Sequence, residues 1–144
     1  MVAGVDGSEC ALRAVRWAAL EAFRRHLPLR LVIAYSWPAG GVTGNIGLGV
    51  DPRVVLRDAA VGHLAAAADV AARVAPDVDV EQVDVVGFSV PVLQVESTRA
   101  ELVVLGDRGL GGFTGLLIGS VAVELSGHAS CPGGGRRGRP RHAP

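Results

Sequence analysis

Val2-Ala3-Gly4-Val5-Asp6-Gly7-Ser8-Glu9 is the stretch on which the reading of the fold turns. Its first four residues are apolar or small and read as a short buried strand over 2–5, which Asp6-Gly7-Ser8 then breaks. Ser8 is a good helix N-cap, because its hydroxyl can accept from an amide that the first helical turn leaves without a partner. Glu9 follows where the helix dipole favours negative charge. Leu12, Val15, Ala19, Ala22 and Phe23 recur at helical spacing, so the pattern predicts a helix over 9–25. Pro28 ends the connection, and 29–35 is apolar and continuous enough for a second buried strand. Strand, polar-glycine turn, helix and strand make one βαβ unit, whose right-handed crossover lays the two strands parallel.

Outward from this unit the alternation continues. Residues 36–51 hold Pro38, Gly40, Gly41, Gly44, Gly47 and Gly49 and read as a long loop, of the kind that is functional or mobile in compact domains. Pro52 can open the next helix, and 54–74 is Ala-rich and helical. Val78, Val80, Val83, Val85 and Val86 predict a third strand, which Gly87 breaks. A short helix over 90–99, a fourth strand over 102–105, a glycine-rich turn and a helix over 120–128 follow. No internal repeat is present. The alternation predicts the α/β class, with an open parallel sheet covered by helices on both faces. Ligands bind such sheets beyond the carboxyl ends of the strands. Two polar-glycine turns fall at those ends: Asp6-Gly7-Ser8 and the segment from Gly106.

Composition agrees. The 144 residues fit one domain, 49% of them are apolar, and aromatic residues are only 4%, which suits strands packed closely against Ala-rich helices. Formal net charge is zero, so no global basic footprint for nucleic acid exists, although Arg136, Arg137, Arg139 and Arg141 crowd the end. That basic tail reads as a solvated arm rather than a nucleic-acid arm, since no aromatic residues interleave it. Cys10 and Cys131 have no metal-ligand or redox spacing and read as ordinary thiols of a reducing cytosol. Asp6 arrives before any signal-peptide core could form, and no apolar run is long enough to span a membrane. These features predict a cytoplasmic protein. His26, His63, His128 and His142 show no metal-ligand spacing and read as surface or helix-capping residues.

The second turn reads Leu105-Gly106-Asp107-Arg108-Gly109-Leu110-Gly111-Gly112-Phe113-Thr114-Gly115-Leu116-Leu117-Ile118-Gly119-Ser120. Gly106 and Gly109 follow a strand directly; lacking Cβ atoms, they permit positive φ and let backbone amides approach an anion. Gly119-Ser120 precedes a helix, whose free amides and dipole favour phosphate. A turn that merely redirects the chain is the competing reading. No Gly-Lys-Ser/Thr is present, so this is not a Walker A loop. The short Gly-x-Gly-x-x-Gly of dinucleotide-binding folds is missing too. Asp6 has two readings, an Asx-type cap of its own turn or a ligand-binding carboxylate.

Gly106-x2-Gly109-x9-Gly119-Ser120 resembles the nucleotide-binding signature of the universal stress protein family. Val5-Asp6-Gly7-Ser8 resembles that family's first strand and turn, residues 100–109 its fourth strand, and Ser126-Gly127-His128-Ala129-Ser130-Cys131-Pro132 the end of its last helix. The resemblance covers residues 2–132. It implies a Rossmann-like or flavodoxin-like domain, usually dimeric, that binds ATP. It further implies that Asp6, with Val5, Gly7 and Ser8 in the same turn, meets the ribose or a Mg²⁺ near the phosphates. Backbone around Ala34 would lie against adenine. Gly106, Gly109, Gly119 and Ser120 would cradle the phosphates, with Val121 beside them. Arg108 would either pair with phosphate or stand in solvent.

Both ends depart from the family. Met1 stands almost inside the first strand. After Cys131-Pro132, where a Val-rich final strand is usual, the chain reads Gly133-Gly134-Gly135-Arg136-Arg137-Gly138. This predicts that the final edge strand is missing, that 133–144 is a disordered tail beyond a domain of 1–132, and that a homodimer paired through that edge is weakened. The functional expectation is a stress or signalling module that acts through nucleotide-linked conformational change. A nucleotide-independent interaction module and a slow ATPase are the alternatives. No general base or nucleophile is evident, so no catalytic residue is assigned.

Overall fold

The computed structural model describes residues 1–37, 49, 51–107, 127 and 133–136, the last four by backbone alone. In chain order the elements are β1 (Val2–Gly4), α1 (Glu9–Arg25), β2 (Leu29–Tyr35), α2 (Pro52–Val74), β3 (Val80–Val86), α3 (Ser89–Ser97), β4 (Val103–Gly106) and β5 (Gly133–Arg136). The five strands form one sheet in the order β3-β2-β1-β4-β5, and every neighbouring pair is parallel.

Alternation along the strands divides the core into two layers, because successive side chains point to opposite faces. Ala3, Val5, Leu29, Leu31, Ile33 and Val104 join the buried cluster under α1 and α2. Val2, Val32 and Val103 join Leu93 of α3 on the opposite face. Helices therefore cover both faces, as expected.

The helices approach closely because their buried stripes are small. In α1 the stripe is Ala11, Ala14, Val15, Ala18, Ala19 and Ala22, the spacing of one helix face. In α2 it is Ala60, Leu64, Ala67 and Ala71. Residues 52–59 of α2 are all exposed, so its first two turns project beyond the part of the helix that is buried. Both helices are capped as their sequences suggest. Ser8 Oγ accepts from Ala11 N at 3.1 Å, and Asp51 Oδ1 accepts from Arg53 N at 2.9 Å.

One ion-pair cluster ties three elements together. Arg30 of β2 donates through Nε and Nη2 to the two carboxylate oxygens of Glu96 in α3, at 2.8 and 3.2 Å, and its Nη1 lies 2.5 Å from Glu81 of β3. These carboxylates, Glu96 first, hold the guanidinium pKa above its ordinary value.

The expectation of a missing edge strand is corrected by β5. Gly133, Gly134, Gly135 and Arg136 pair in register with Val103, Val104, Leu105 and Gly106. Ladder bonds need only main-chain N–H and C=O groups, which glycine carries. An edge strand pairs on one side only, so the objection to glycines and arginines in a buried interior strand does not apply. The conformational cost of glycine, about 0.5–1 kcal/mol per residue relative to alanine, is offset by that pairing. The sheet thus runs past 132, the expected domain boundary. Residues 137–144, and the helix expected over 120–128 except for Gly127, lie outside the described residues.

Candidate functional site

The strand order locates the crevice. From β1 the chain builds outward through β2 to β3, then returns to place β4 on the other side of β1. The chain passes from β1 to β2 on one side and from β4 to β5 on the other, so the space outside the carboxyl ends of β1 and β4 is the topological switch point where open α/β sheets bind ligands. The register pairs Val2 with Val103 and Ala3 with Val104, so Asp6-Gly7-Ser8 leaves the sheet next to the end of β4.

Each residue of the first turn has an identifiable job. Val5 is buried and its N–H donates to Val32 O at 2.8 Å, which extends the ladder one residue beyond β1. Asp6 Oδ1 accepts from Ser8 N at 2.9 Å, the Asx geometry anticipated for this turn, and this bond orients the half-buried carboxylate. Gly7 has φ +83°, a conformation that L side chains rarely adopt. Ser8 then starts α1.

Gly106 closes the crevice from the β4 side. A Cβ built there would stand 2.8 Å from the carbonyl carbon of Cys10 and 2.9 Å from Ala11 N. The end of β4 lies against the first turn of α1, backbone to backbone. The sequence reading of Gly106 as a positive-φ position is corrected, because the described positive-φ glycines are Gly7, Gly49 and Gly87. Close approach to α1 is what demands glycine at 106.

Ala34 lies half-buried near the end of β2, paired with Val85. The next residue opens a feature that sequence reasoning missed. The Tyr35 ring meets Trp37 edge-on, with centroids 6.0 Å apart and planes at 65°, and the Arg53 guanidinium stands 5.7 Å over the Trp37 ring. Tyr35 Oη donates to Asp84 Oδ2 at 3.0 Å, and Arg57 Nε donates to the same oxygen at 3.3 Å. Desolvation, then the Asp84 hydrogen bond, pushes the Tyr35 pKa up. Together with Val86 these residues line a pocket beside α2. The available signal was an aromatic pair in a chain otherwise poor in aromatic residues.

The universal stress protein family model matches residues 1–132. The chain belongs to the universal stress protein family. It is 35% identical over 132 residues to universal stress protein Rv3134c of Mycobacterium tuberculosis, a match covering 92% of this chain and 46% of that protein. The chain thus spans about half the length of the curated relatives it matches. A universal stress protein crystallised in complex with cAMP superposes with a TM-score of 0.71 at 27% identity, covering 94% of each chain. The Archaeoglobus fulgidus universal stress protein in complex with dAMP gives 0.63 at 25% identity, over 93% of this chain and 94% of that one.

Within this universal stress domain the fold brings Val5, Asp6, Gly7, Ser8 and Gly106 to one crevice. Ala34 lies on the neighbouring strand, β2. Arg108, Gly109, Gly119, Ser120 and Val121 lie outside the described residues. No group of three or more His, Cys, Asp or Glu able to hold a metal occurs among the described residues. None of the described helices is long and apolar enough to cross a membrane.

Proposed function

We propose that this domain binds an adenine nucleotide, ATP, at the switch point between β1 and β4, and that the nucleotide-bound state is a signal read by a partner. The observation that carries the reading is the convergence of Asp6-Gly7-Ser8, the N-terminal turn of α1 and the end of β4 at one crevice. Backbone amides at a helix start, with glycines that allow close approach, are what phosphate groups require. The cAMP and dAMP complexes of related universal stress proteins support the adenine part of the reading.

In this arrangement Asp6, its carboxylate bound by the Ser8 amide, would meet the ribose or a Mg²⁺. A carboxylate suits Mg²⁺, which takes hard oxygen donors and is commonly held by one or two carboxylates plus phosphate oxygens. Ala34 would back the adenine, while Gly106, Gly109, Gly119, Ser120 and Val121 would hold the phosphates, with Arg108 at their edge. Binding would be linked to a conformational change that alters the surface a partner meets. The reading places the protein in the cytoplasm as a homodimer, and β5 supplies an edge through which subunits could pair. A general base is not assigned, so hydrolysis would be slow at most.

The test begins with purified protein denatured and its supernatant assayed for adenine nucleotide. Released nucleotide, or a melting temperature that rises with added ATP, supports the reading. Absence of both refutes it. Conversion of bound ATP to ADP in the presence of Mg²⁺ would measure the hydrolytic alternative.

A further inference from the structure

His63 lies 56 residues from Gly7 in sequence, yet its imidazole rests on Gly7. A Cβ built at Gly7 would stand 2.6 Å from Cε1 and 2.7 Å from both Nδ1 and Nε2. Near-equal distances to three ring atoms mean that the ring lies face-on over the glycine. An approach in the ring plane would leave the two nitrogens clearly farther away than Cε1. Gly7 therefore has two roles, the left-handed turn and the seat of the imidazole, and any side chain there would displace the ring.

We propose that His63 is a nucleotide-contacting residue, forming the wall of the site on the β2 side, against the sugar. The proposal rests on the adenine-nucleotide reading above and adds a contact which that reading does not contain. Three observations carry it. First, the seat on Gly7 places the ring in the same turn as Asp6, at the switch-point crevice. Second, α2 packs on β2 and β3, so His63 reaches the turn from the side opposite β4 and Gly106. The base would lie toward Ala34 and the phosphates toward Gly106, which puts the sugar between them, next to Asp6 and His63. Third, His63 is exposed, and neither ring nitrogen has a hydrogen-bond partner among the described residues. One face of the ring is held by packing against Gly7, and the side chain as a whole is exposed.

The chemistry fits a sugar. A neutral imidazole offers one N–H donor and one nitrogen acceptor, which matches the mixed donor and acceptor character of ribose hydroxyls. An exposed histidine ordinarily loses side-chain freedom when it binds a ligand. Packing against Gly7 has already restricted this one, so less ordering remains to oppose binding.

Calorimetric titration of the full chain with AMP and with adenosine tests the assignment, using the unsubstituted protein, His63→Ala and His63→Gln. His63→Ala is expected to weaken AMP and adenosine by the same factor, roughly three- to tenfold, the worth of one ordinary hydrogen bond. His63→Gln keeps a donor and an acceptor and is expected to recover most of the loss. The ring Cε1–H resonance that disappears in His63→Ala should shift when adenosine is added to the unsubstituted protein. Unchanged affinity for both ligands in His63→Ala overturns the proposal. So does a loss confined to AMP, which would mark a phosphate contact. If the unsubstituted protein binds neither AMP nor ATP, the functional reading itself fails and His63 falls with it. If it binds both and the histidine variants behave like it, only the His63 assignment fails.

Discussion

Adding a single methyl group at Gly106 tests whether the end of β4 really packs backbone to backbone on α1. In Gly106→Ala the new Cβ would stand 2.8 Å from Cys10 C, 2.9 Å from Ala11 N and 3.0 Å from Cys10 O. Carbon atoms in good contact sit about 3.5–4.0 Å apart, so relief needs a displacement of about 0.7 Å or more. No side-chain rotation supplies it, because all three neighbours are main chain. Either the first turn of α1 or the end of β4 must move, and overpacking of this kind costs about 1–3 kcal/mol. For a chain of this size each kcal/mol lowers Tm by roughly 3 °C, so a fall of roughly 3–9 °C is expected in a thermal melt followed by circular dichroism. Gly4→Ala is the control, because its Cβ meets the Cδ2 end of Leu105, a flexible side chain that can turn aside. Its Tm should fall less than half as far. AMP affinity should drop several-fold in Gly106→Ala, since either the helix amides or the end of β4 moves relative to the Asp6 turn. A Tm within about 1 °C of the parent, together with unchanged AMP binding, would refute the argument.

Two further expectations concern the same end of the sheet. Ser8→Ala removes the acceptor for Ala11 N and should cost about 1 kcal/mol in denaturant unfolding, while Ser8→Asp, which keeps an acceptor, should cost much less. The chain has one tyrosine, so phenolate absorbance reports Tyr35 directly. Desolvation and Asp84 raise its folded pKa above 10.0, and the unfolded chain therefore ionises first as pH rises. Its contribution to stability is constant below pH 10.0 and is lost progressively above it. The absorbance midpoint should lie above 10.0 and fall in Asp84→Asn, whereas a midpoint at the ordinary value would remove the Tyr35–Asp84 bond from the account.

Much of the fold was legible because local chemistry specifies it. Ser8 marks where α1 starts and the predicted 9–25 coincides with the observed helix, although Phe23 of the predicted pattern is exposed and the buried stripe is mostly alanine. The run 29–35 coincides with β2 because it is apolar but for Arg30, as suits a strand buried on both faces. The third strand begins at Val80 rather than Val78, because Val78 N is taken by Ala75 O in a turn after α2. That competition is between backbone groups and leaves no trace in side-chain pattern. The final strand was misread for a related reason. Composition speaks about side chains, and β5 pairs through main-chain groups that a Gly-Gly-Gly-Arg segment carries as well as any other.

For the site, the division is sharper. Sequence by itself determined the order of elements, the α/β class and the cap at Ser8, and offered the Asx turn as one of two readings of Asp6, all of which depend on residues a few positions apart. Only the tertiary structure decided that β1 and β4 are neighbours, that Gly106 is needed for its contact with Cys10 and Ala11 rather than for its φ, and that His63 sits on Gly7. The Tyr35–Trp37–Arg53 arrangement, with Asp84 bridging to Arg57, belongs to the same category. Most of these contacts join residues tens of positions apart. Their formation depends on which strands come to lie side by side and on how closely alanine-lined helices can approach the sheet, a global packing outcome that short-range pattern does not encode.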